Sequence, residues 1–182
     1  MRWIHTEIKN AKNGKPSGIF IKINNLSDLQ TVKQLYKASR AGVKVRIIGR
    51  SMFSPITQLK KYSENIKGIG IVDRYLEHSR IFIFTNGGKS HYHISSADFL
   101  PRNYDSRFES VCPILDKRLQ QELQTYMDIQ WRDNTKARVL DQKLTNKISK
   151  GGRRDSEKDV KVRAQMDIAD HLRSLIIKSK KK

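Results

Sequence analysis

Hydrophobic positions along the chain switch between helical and strand-like spacing. Residues 2–13 put Trp3, Ile4 and Ile8 on one side of a short helix that Gly14 and Pro16 stop. "GIFIKIN" (18–24) is a run of bulky residues that predicts a strand. "SDLQTVKQLYKASRAG" returns to a near-helical stripe through Leu29, Val32, Leu35, Tyr36 and Ser39. Ser27 and Gln30 have capping-box spacing, and Gly42 is placed to end that helix. "VKVRIIG" (43–49) predicts the next strand. Strand, helix, strand is a βαβ unit, which implies parallel pairing and a right-handed crossover.

The following stretch, 51–66, is polar and irregular. "KGIGIV" and "SRIFIF" (79–84) predict two further strands, "TNGGKS" a turn whose glycines suit positive φ, and "HYHISSADFL" a returning strand and loop. "SRFESVCPI" (106–114) predicts a last strand terminated by Pro113. From Asp116 the spacing is helical, through Leu119, Leu123, Tyr126, Met127, Ile129 and Gln130. Residues 132–163 predict mainly loop, "VKVRAQMDIADHLRSLII" a terminal helix, and "SKKK" a frayed tail. The expectation is an α/β fold in a single domain, 1–182, with a sheet-rich core, 1–115, and a helical C-terminal portion, 116–182, carrying a basic loop at about 147–160. No internal repeat or heptad pattern is visible.

Charge changes this picture more than composition does. The chain has 182 residues, a length suited to one domain with a sizeable core. Its 37 Lys and Arg against 18 Asp and Glu give a formal charge of +19, which costs self-repulsion and attracts anions. A polyanion or a folded partner is implied to offset it, and nucleic acid, an acidic membrane surface, a nucleotide or a phosphate chain would each qualify. The single cysteine, Cys112, excludes an internal disulfide. The N-terminal residues lack a signal-peptide core, and no apolar run approaches the roughly 20 residues of a membrane span. A cytoplasmic protein is expected, with a peripheral membrane contact left open.

Candidate chemistry gathers in three places. In "YLEHSRIFIF", strand alternation would put His78 and Arg80 on one face with Phe82 and Phe84, a poor place for a second cation and a good one for an anion. The competing reading is a polar strand edge in which His78 bonds a carboxylate such as Glu77 or Asp73. Arg50 ends one parallel strand and Lys22 lies near the end of another, where ligands of α/β sheets collect; each could equally form an ordinary salt bridge. "SSADFLPRNYDSRFE" (95–109) offers hydroxyls, an amide and guanidinium groups for an oxyanion, and carboxylates that could orient a histidine or arginine. His91 and His93 form a His-x-His pair without a fixed third metal ligand. Neither GxxxxGK[ST] nor GxGxxG occurs, so P-loop and dinucleotide-fingerprint readings fail.

Longer motifs say more. "GIFIKINNLSD", "LYKASRAGVKVRIIGRSM", "ENIKGIGIVDRYLEHSRIFIFTNGG", "ISSADFLPRNYDSRFESVCPILD" and "TKARVLD", followed by "KVRAQ", closely resemble the last domain of bacterial polyphosphate kinases of the long, multi-domain type, over nearly the whole chain from about Ile8 to Leu175. The resemblance implies a phospholipase-D-like mixed sheet flanked by helices. It implies an enzyme that, with Mg²⁺, reversibly transfers the terminal phosphate of ATP onto polyphosphate in a tunnel between two such domains. A histidine in the other domain becomes phosphorylated. In this domain the resemblance makes His78 an acid/base group and Arg50 a phosphate holder, with Ser95, Ser96 and Asn103 as further contributors. Lys22 and Arg80 are weaker candidates for neutralising phosphate oxygens, and Arg153, Arg154, Lys158, Lys161 and Arg163 could extend a basic channel.

The chain departs from the family pattern at Gly49-Arg50-Ser51, where Val-Arg-Gly is usual, and this could alter backbone freedom beside Arg50. It is also far shorter than the family's enzymes. The expectation is therefore a domain or fragment that binds ATP or ADP and polyphosphate, needs the other domains of the enzyme (including most ligands for Mg²⁺), and transfers phosphate poorly alone. Self-association is left open, and no specific nucleic acid is expected. The alternatives are a phospholipase-D-like phosphodiesterase or nuclease that dimerises through His78, and a non-catalytic polyanion-binding module.

Overall fold

A computed structural model describes residues 1–151 and 160–179. Their elements run α1 (Arg2–Lys12), β1 (Gly18–Lys22), α2 (Leu29–Arg40), β2 (Lys44–Gly49), β3 (Ile66–Gly70), β4 (Ile81–Phe84), β5 (His91–Ser95), α3 (Pro101–Asp105), β6 (Val111–Ile114), α4 (Lys117–Trp131), β7 (Arg138–Val139) and α5 (Ala164–Ser179). Among the described residues the strands form one mixed sheet in the order β6-β5-β4-β1-β2-β3-β7. The predicted βαβ unit is there: β1 and β2 are parallel, and β3 extends the parallel group. β4 returns antiparallel on β1 and leads through β5 to β6, while β7 runs antiparallel on β3.

Alternation along the strands gives the sheet two apolar faces. Ile19, Ile21, Ile23, Val45, Ile47, Phe82 and Phe84 share one cluster with Ile4 of α1 and Val32, Leu35 and Ala38 of α2. Phe20, Ile48, Ile69, Ile81 and Ile83 share the other with Met127 of α4 and Ala137. Each buried side chain of this size contributes about 1.5–3 kcal/mol of transfer free energy. The sheet is therefore fixed from both sides, and the polar groups at its two ends are left to do other things.

Several boundaries differ from the sequence expectation for identifiable reasons. Asp28, not Ser27, caps α2, accepting from the backbone N–H and hydroxyl of Thr31 at 2.7 Å each. Gly42 does follow the helix with φ of +90°. The strand expected over 79–84 begins only at Ile81, so His78 and Arg80 lie ahead of it. The strand expected over 106–114 is only Val111–Ile114. Pro113 sits inside it opposite His93, and an edge strand tolerates the missing N–H. Pro101 starts the short helix α3 inside what reads as loop, and β7 adds a strand to the portion expected to be helical. Arg153, Arg154 and Lys158 lie outside the described residues. Among the described helices none is long and apolar enough to cross a membrane.

Candidate functional site

Topology brings five chain segments to one edge of the sheet. The carboxyl ends of parallel β1, β2 and β3 share that edge with the start of β4 and the end of β5, because Lys22 pairs with Ile81 and Ile81 with Ile94. Backbone bonds tie the segments together beyond the strands. Ser51 N–H donates to Asn24 C=O at 2.9 Å, Ile71 to Gly49 at 3.0 Å, Ser95 to Arg80 at 3.0 Å and Phe99 to Asn25 at 3.0 Å.

His78 stands exposed at this edge. Arg80 folds back onto it, with Nη1 3.5 Å from Nδ1 and Nη2 3.5 Å from Nε2 of the ring. The pair therefore meets as expected, but through a loop rather than by strand alternation. The far side of Arg80 is held by Asp98, with Nε to Oδ1 at 3.0 Å and Nη2 to Oδ2 at 3.3 Å. Asp98 also accepts from Asn24 N–H at 3.1 Å, Asn25 N–H at 3.2 Å and Asn25 Nδ2 at 2.8 Å. Burial pushes the Asp98 pKa up, but Arg80 and Asn25 outweigh it and hold the carboxyl below its ordinary value. The amide orientation that satisfies Asn24 donates to Glu77 C=O at 2.7 Å and accepts from Arg80 Nε and Nη2 at 2.9 Å each.

A second carboxylate supports His78 from below. Glu77 is only 7% exposed, and Lys22 only 2%. Glu77 Oε2 accepts from Lys22 Nζ at 2.9 Å and from Gln130 Nε2 at 2.9 Å, and its Oε1 from Gln165 Nε2 at 2.8 Å. Gln165 also clasps Tyr75, accepting from its N–H at 2.9 Å and donating to its C=O at 2.8 Å. Tyr126 Oη lies 3.0 Å from Ser79 Oγ and 3.0 Å from Gln130 Nε2, and burial pushes its pKa up to about 12. Residues 75–79 are thus fastened to β1, α4 and α5 at once.

This arrangement changes the expectation for Lys22. Its ammonium is inside the protein, where burial lowers its pKa and Glu77 opposes the shift. It anchors the segment carrying His78 and is not presented to a phosphate in solution. The reading in which His78 bonds a carboxylate also gives way. Glu77 turns inward, and Asp73 takes Arg163 at 2.9 and 2.7 Å, which likewise removes Arg163 from the free cations of a channel.

Arg50 behaves differently from these cations. It is half-buried and, among the described residues, meets no hydrogen-bond or ion-pair partner. Its charge is one cause of the lowered Lys22 pKa, which puts it near the same edge. The neighbouring Gly49 does not supply unusual backbone freedom. It is the last residue of β2, and a Cβ there would meet Phe53 and Leu140 at ordinary contact distances of 3.5 and 3.6 Å.

Ser95, Ser96 and Asn103 form an adjoining group. Ser96 Oγ and Asn103 Nδ2 both donate to Glu109, Ser110 N–H donates to Ser96 Oγ at 3.0 Å, and Ser95 Oγ donates to Ser110 C=O at 3.2 Å. The bond from Ser96, then that from Asn103, holds the Glu109 pKa below its usual value, with Arg107 and Arg80 adding their charge. The Asn103 carbonyl oxygen is buried without a partner. These side chains are therefore beside Arg80, with their donors already engaged by Glu109 and Ser110.

Comparison with known proteins gives this geometry a family. A family profile described as the polyphosphate kinase C-terminal domain 2 matches residues 1–165. The chain belongs to the polyphosphate kinase C-terminal domain 2 family. It is 48% identical to a polyphosphate kinase from Salmonella typhimurium over 173 residues, covering 94% of this chain and 24% of that protein. It is 42% identical to one from Vibrio cholerae over 175 residues, covering 96% and 24%. The chain thus spans about a quarter of the length of the curated relatives it matches. The crystal structure of polyphosphate kinase from Porphyromonas gingivalis superposes with a TM-score of 0.88 at 40% identity, over 95% of this chain and 26% of that one. A phospholipase D family member, Nuc, from Salmonella typhimurium shares the fold alone, with a TM-score of 0.54 at 14% identity, over 75% of this chain and 90% of that one.

Within this domain of the polyphosphate kinase family, the sheet flanked by helices is the phospholipase-D-like architecture expected from the motifs. The other chemical candidates fare less well. His93 is buried against Trp3, ring centroids 4.1 Å apart, and His91 Nε2 lies 3.0 Å from Asn86 Nδ2. No group of three or more potential metal-binding side chains occurs among the described residues. Glu77, Asp98 and Glu109 are all engaged by protein donors, so these carboxylates do not fit a Mg²⁺ site. Nothing local in the sequence marks Asn24 and Asn25 as donors to Asp98, or Glu77 as the partner of Lys22. Asp98 was legible only as a carboxylate able to orient an arginine, which is what it does.

Proposed function

We propose that this domain forms one wall of a polyphosphate kinase active centre, in which the terminal phosphate of ATP moves reversibly onto polyphosphate. The observation that carries the reading is an exposed His78 laid against an Arg80 that Asp98 holds still, on the edge that also presents Arg50, which meets no partner among the described residues. Phosphoryl transfer needs positioning and charge stabilisation more than covalent work by the protein. Arg50, with five donors and no acceptor among the described residues, binds phosphoryl oxygens as their charge shifts between entering and leaving groups. Arg80 adds a second, fixed positive charge. His78 takes a proton from the attacking polyphosphate end during synthesis and returns it to that same oxygen as it departs during ATP regeneration, since an imidazole ring can both accept and donate a proton. The nucleophile is supplied from outside these residues. Membership of the family and the match to three polyphosphate kinases support this reading.

The test is to exchange the corresponding quarter of the Porphyromonas gingivalis kinase for this chain and follow polyphosphate synthesis and ATP regeneration. His78→Ala is expected to lower both rates by about 10²–10⁴, the usual worth of a general acid/base. Arg50→Gln should weaken nucleotide and polyphosphate use together. Wild-type rates from the His78→Ala chimera would sink the assignment. The chain by itself should bind polyphosphate and incorporate no γ-phosphate.

A further inference from the structure

The opposite edge of the same sheet holds a second cluster of cations. A cleft of about 620 Å³ opens where β1, β2 and β3 begin, with Gln124 and Trp131 of α4 on its wall. Lys44 and Arg46 are two residues apart on β2 and so share a face. Lys67 of β3 is the direct cross-strand partner of Arg46, and Phe20 of β1 is its partner on the other side. Register therefore sets Arg46 and Lys67 on one face of neighbouring strands, about 4.8 Å apart at the backbone, so that both cations border the same cleft.

Little in the protein neutralises these cations. Among the described residues Lys44 and Lys67 meet no hydrogen-bond or ion-pair partner. Arg46 lies 3.8 Å above the Phe20 ring and 5.7 Å from the Trp131 ring, and its one ion pair, to Asp128, is long at 3.7 Å. Its five N–H groups therefore have no hydrogen-bond acceptor among the described residues, although burial takes it partly out of water and lowers its pKa. Glu64 is the one carboxylate on the cleft wall. Asn65, Thr85 and Ser90 line the cleft with further polar groups.

We propose that this cleft is a second site for a run of linked phosphate groups, roughly 13–20 Å along β2 from Arg50. The Phe20 ring holds the Arg46 guanidinium 3.8 Å above it, and Lys44 and Lys67 border the same cleft as exposed point charges. Such a row suits a flexible chain with charge on every unit and reads no sequence. The linked phosphates could come from polyphosphate or from a nucleoside triphosphate, and the two sources are separable.

Calorimetric titration of the full chain at low salt tests this, with tripolyphosphate, long-chain polyphosphate, ATP and a DNA duplex as probes. The exposed pair Lys44→Gln/Lys67→Gln should weaken tripolyphosphate and long-chain binding roughly tenfold and lower the salt slope by about two. Arg50→Gln should leave that component in place, so failure of the His78 edge and failure of this cleft read out separately. If ATP shows the same dependence on the lysine pair, a nucleotide's phosphates also fit; if only tripolyphosphate does, the source is polyphosphate. Lys9→Gln/Lys12→Gln on α1 controls for net charge. Equal losses in that control, no loss in the cleft pair, or tighter DNA binding through the same lysines would each overturn the proposal.

Discussion

The two edges of the sheet carry similar numbers of cations and treat them in opposite ways. At the His78 edge Lys22 is held by Glu77, Arg80 by Asp98 and Arg163 by Asp73, whereas Arg50 meets no partner among the described residues. At the Lys44 edge neither lysine has a partner among the described residues, and Arg46 has one long ion pair there. Paired cations build a rigid support for a few exposed groups, as chemistry requires. Unpaired cations build a field, which suits holding a polymer. Net charge alone does not separate the two, since the +19 excess feeds both.

The largest effect is expected from breaking the support. Lys22→Met or Glu77→Leu alone leaves a buried charge without its partner and should cost about 3–5 kcal/mol in denaturant unfolding. The double variant should recover much of that loss, because no uncompensated ion remains. A Glu77→Leu protein as stable as wild type would show that the ion pair does not hold the 75–79 segment.

Next in size is the bond between Asp98 and Arg80. Asp98→Asn keeps the shape but weakens a charge-assisted pair, with an expected loss of about 1.5–3 kcal/mol. In the chimeric kinase it should also lower turnover more than it raises KM, because Arg80 is released from a fixed position rather than removed. Unchanged turnover would separate Arg80 from the chemistry.

Acid should expose the same difference between the edges. The pKa values of Glu77, Asp98 and Asp73 all fall on folding, Glu77 through Lys22, Asp98 through Arg80 and Asp73 through Arg163, with burial opposing each. A lowered folded-state pKa gives stability that is present above the unfolded value, near 4 for these groups, and lost as pH falls through the folded value. Unfolding followed between pH 5 and 2 should therefore lose His78-edge protection first, read as hydrogen exchange at residues 75–79 and 98. Simultaneous loss at Lys44–Arg46 would contradict the comparison.

How much of this was legible follows from the range of each interaction. The βαβ unit, the end of α2 at Gly42 and the α4 stripe rest on local periodicity and were read directly. His78, Arg50 and the phospholipase-D-like fold came through long motifs. Lys22 could be read either as a phosphate ligand or as half of a salt bridge, because its partner lies 55 residues away and no local pattern says whether a lysine at a strand end turns in or out. Arg46 and Lys67 escaped notice for the same reason: each looks like an ordinary exposed strand cation until strand register puts them side by side. Asp28 displaced Ser27 as the cap by a single residue, within the usual reach of capping signals.

The smallest expected effect falls on the Lys44 edge, and its smallness is informative. Lys67→Gln removes no hydrogen bond or ion pair among the described residues and takes one positive charge from a chain of formal charge +19. Its stability should stay within about 0.5 kcal/mol of wild type, with any shift towards greater stability at low salt and vanishing at high salt. Arg46→Met keeps the apolar contact with Phe20 but loses the cation over the ring, about 0.5–1 kcal/mol. A loss of several kcal/mol at Lys67 would mean that the lysine is part of the support after all, and the distinction between a braced edge and an open one would fail there.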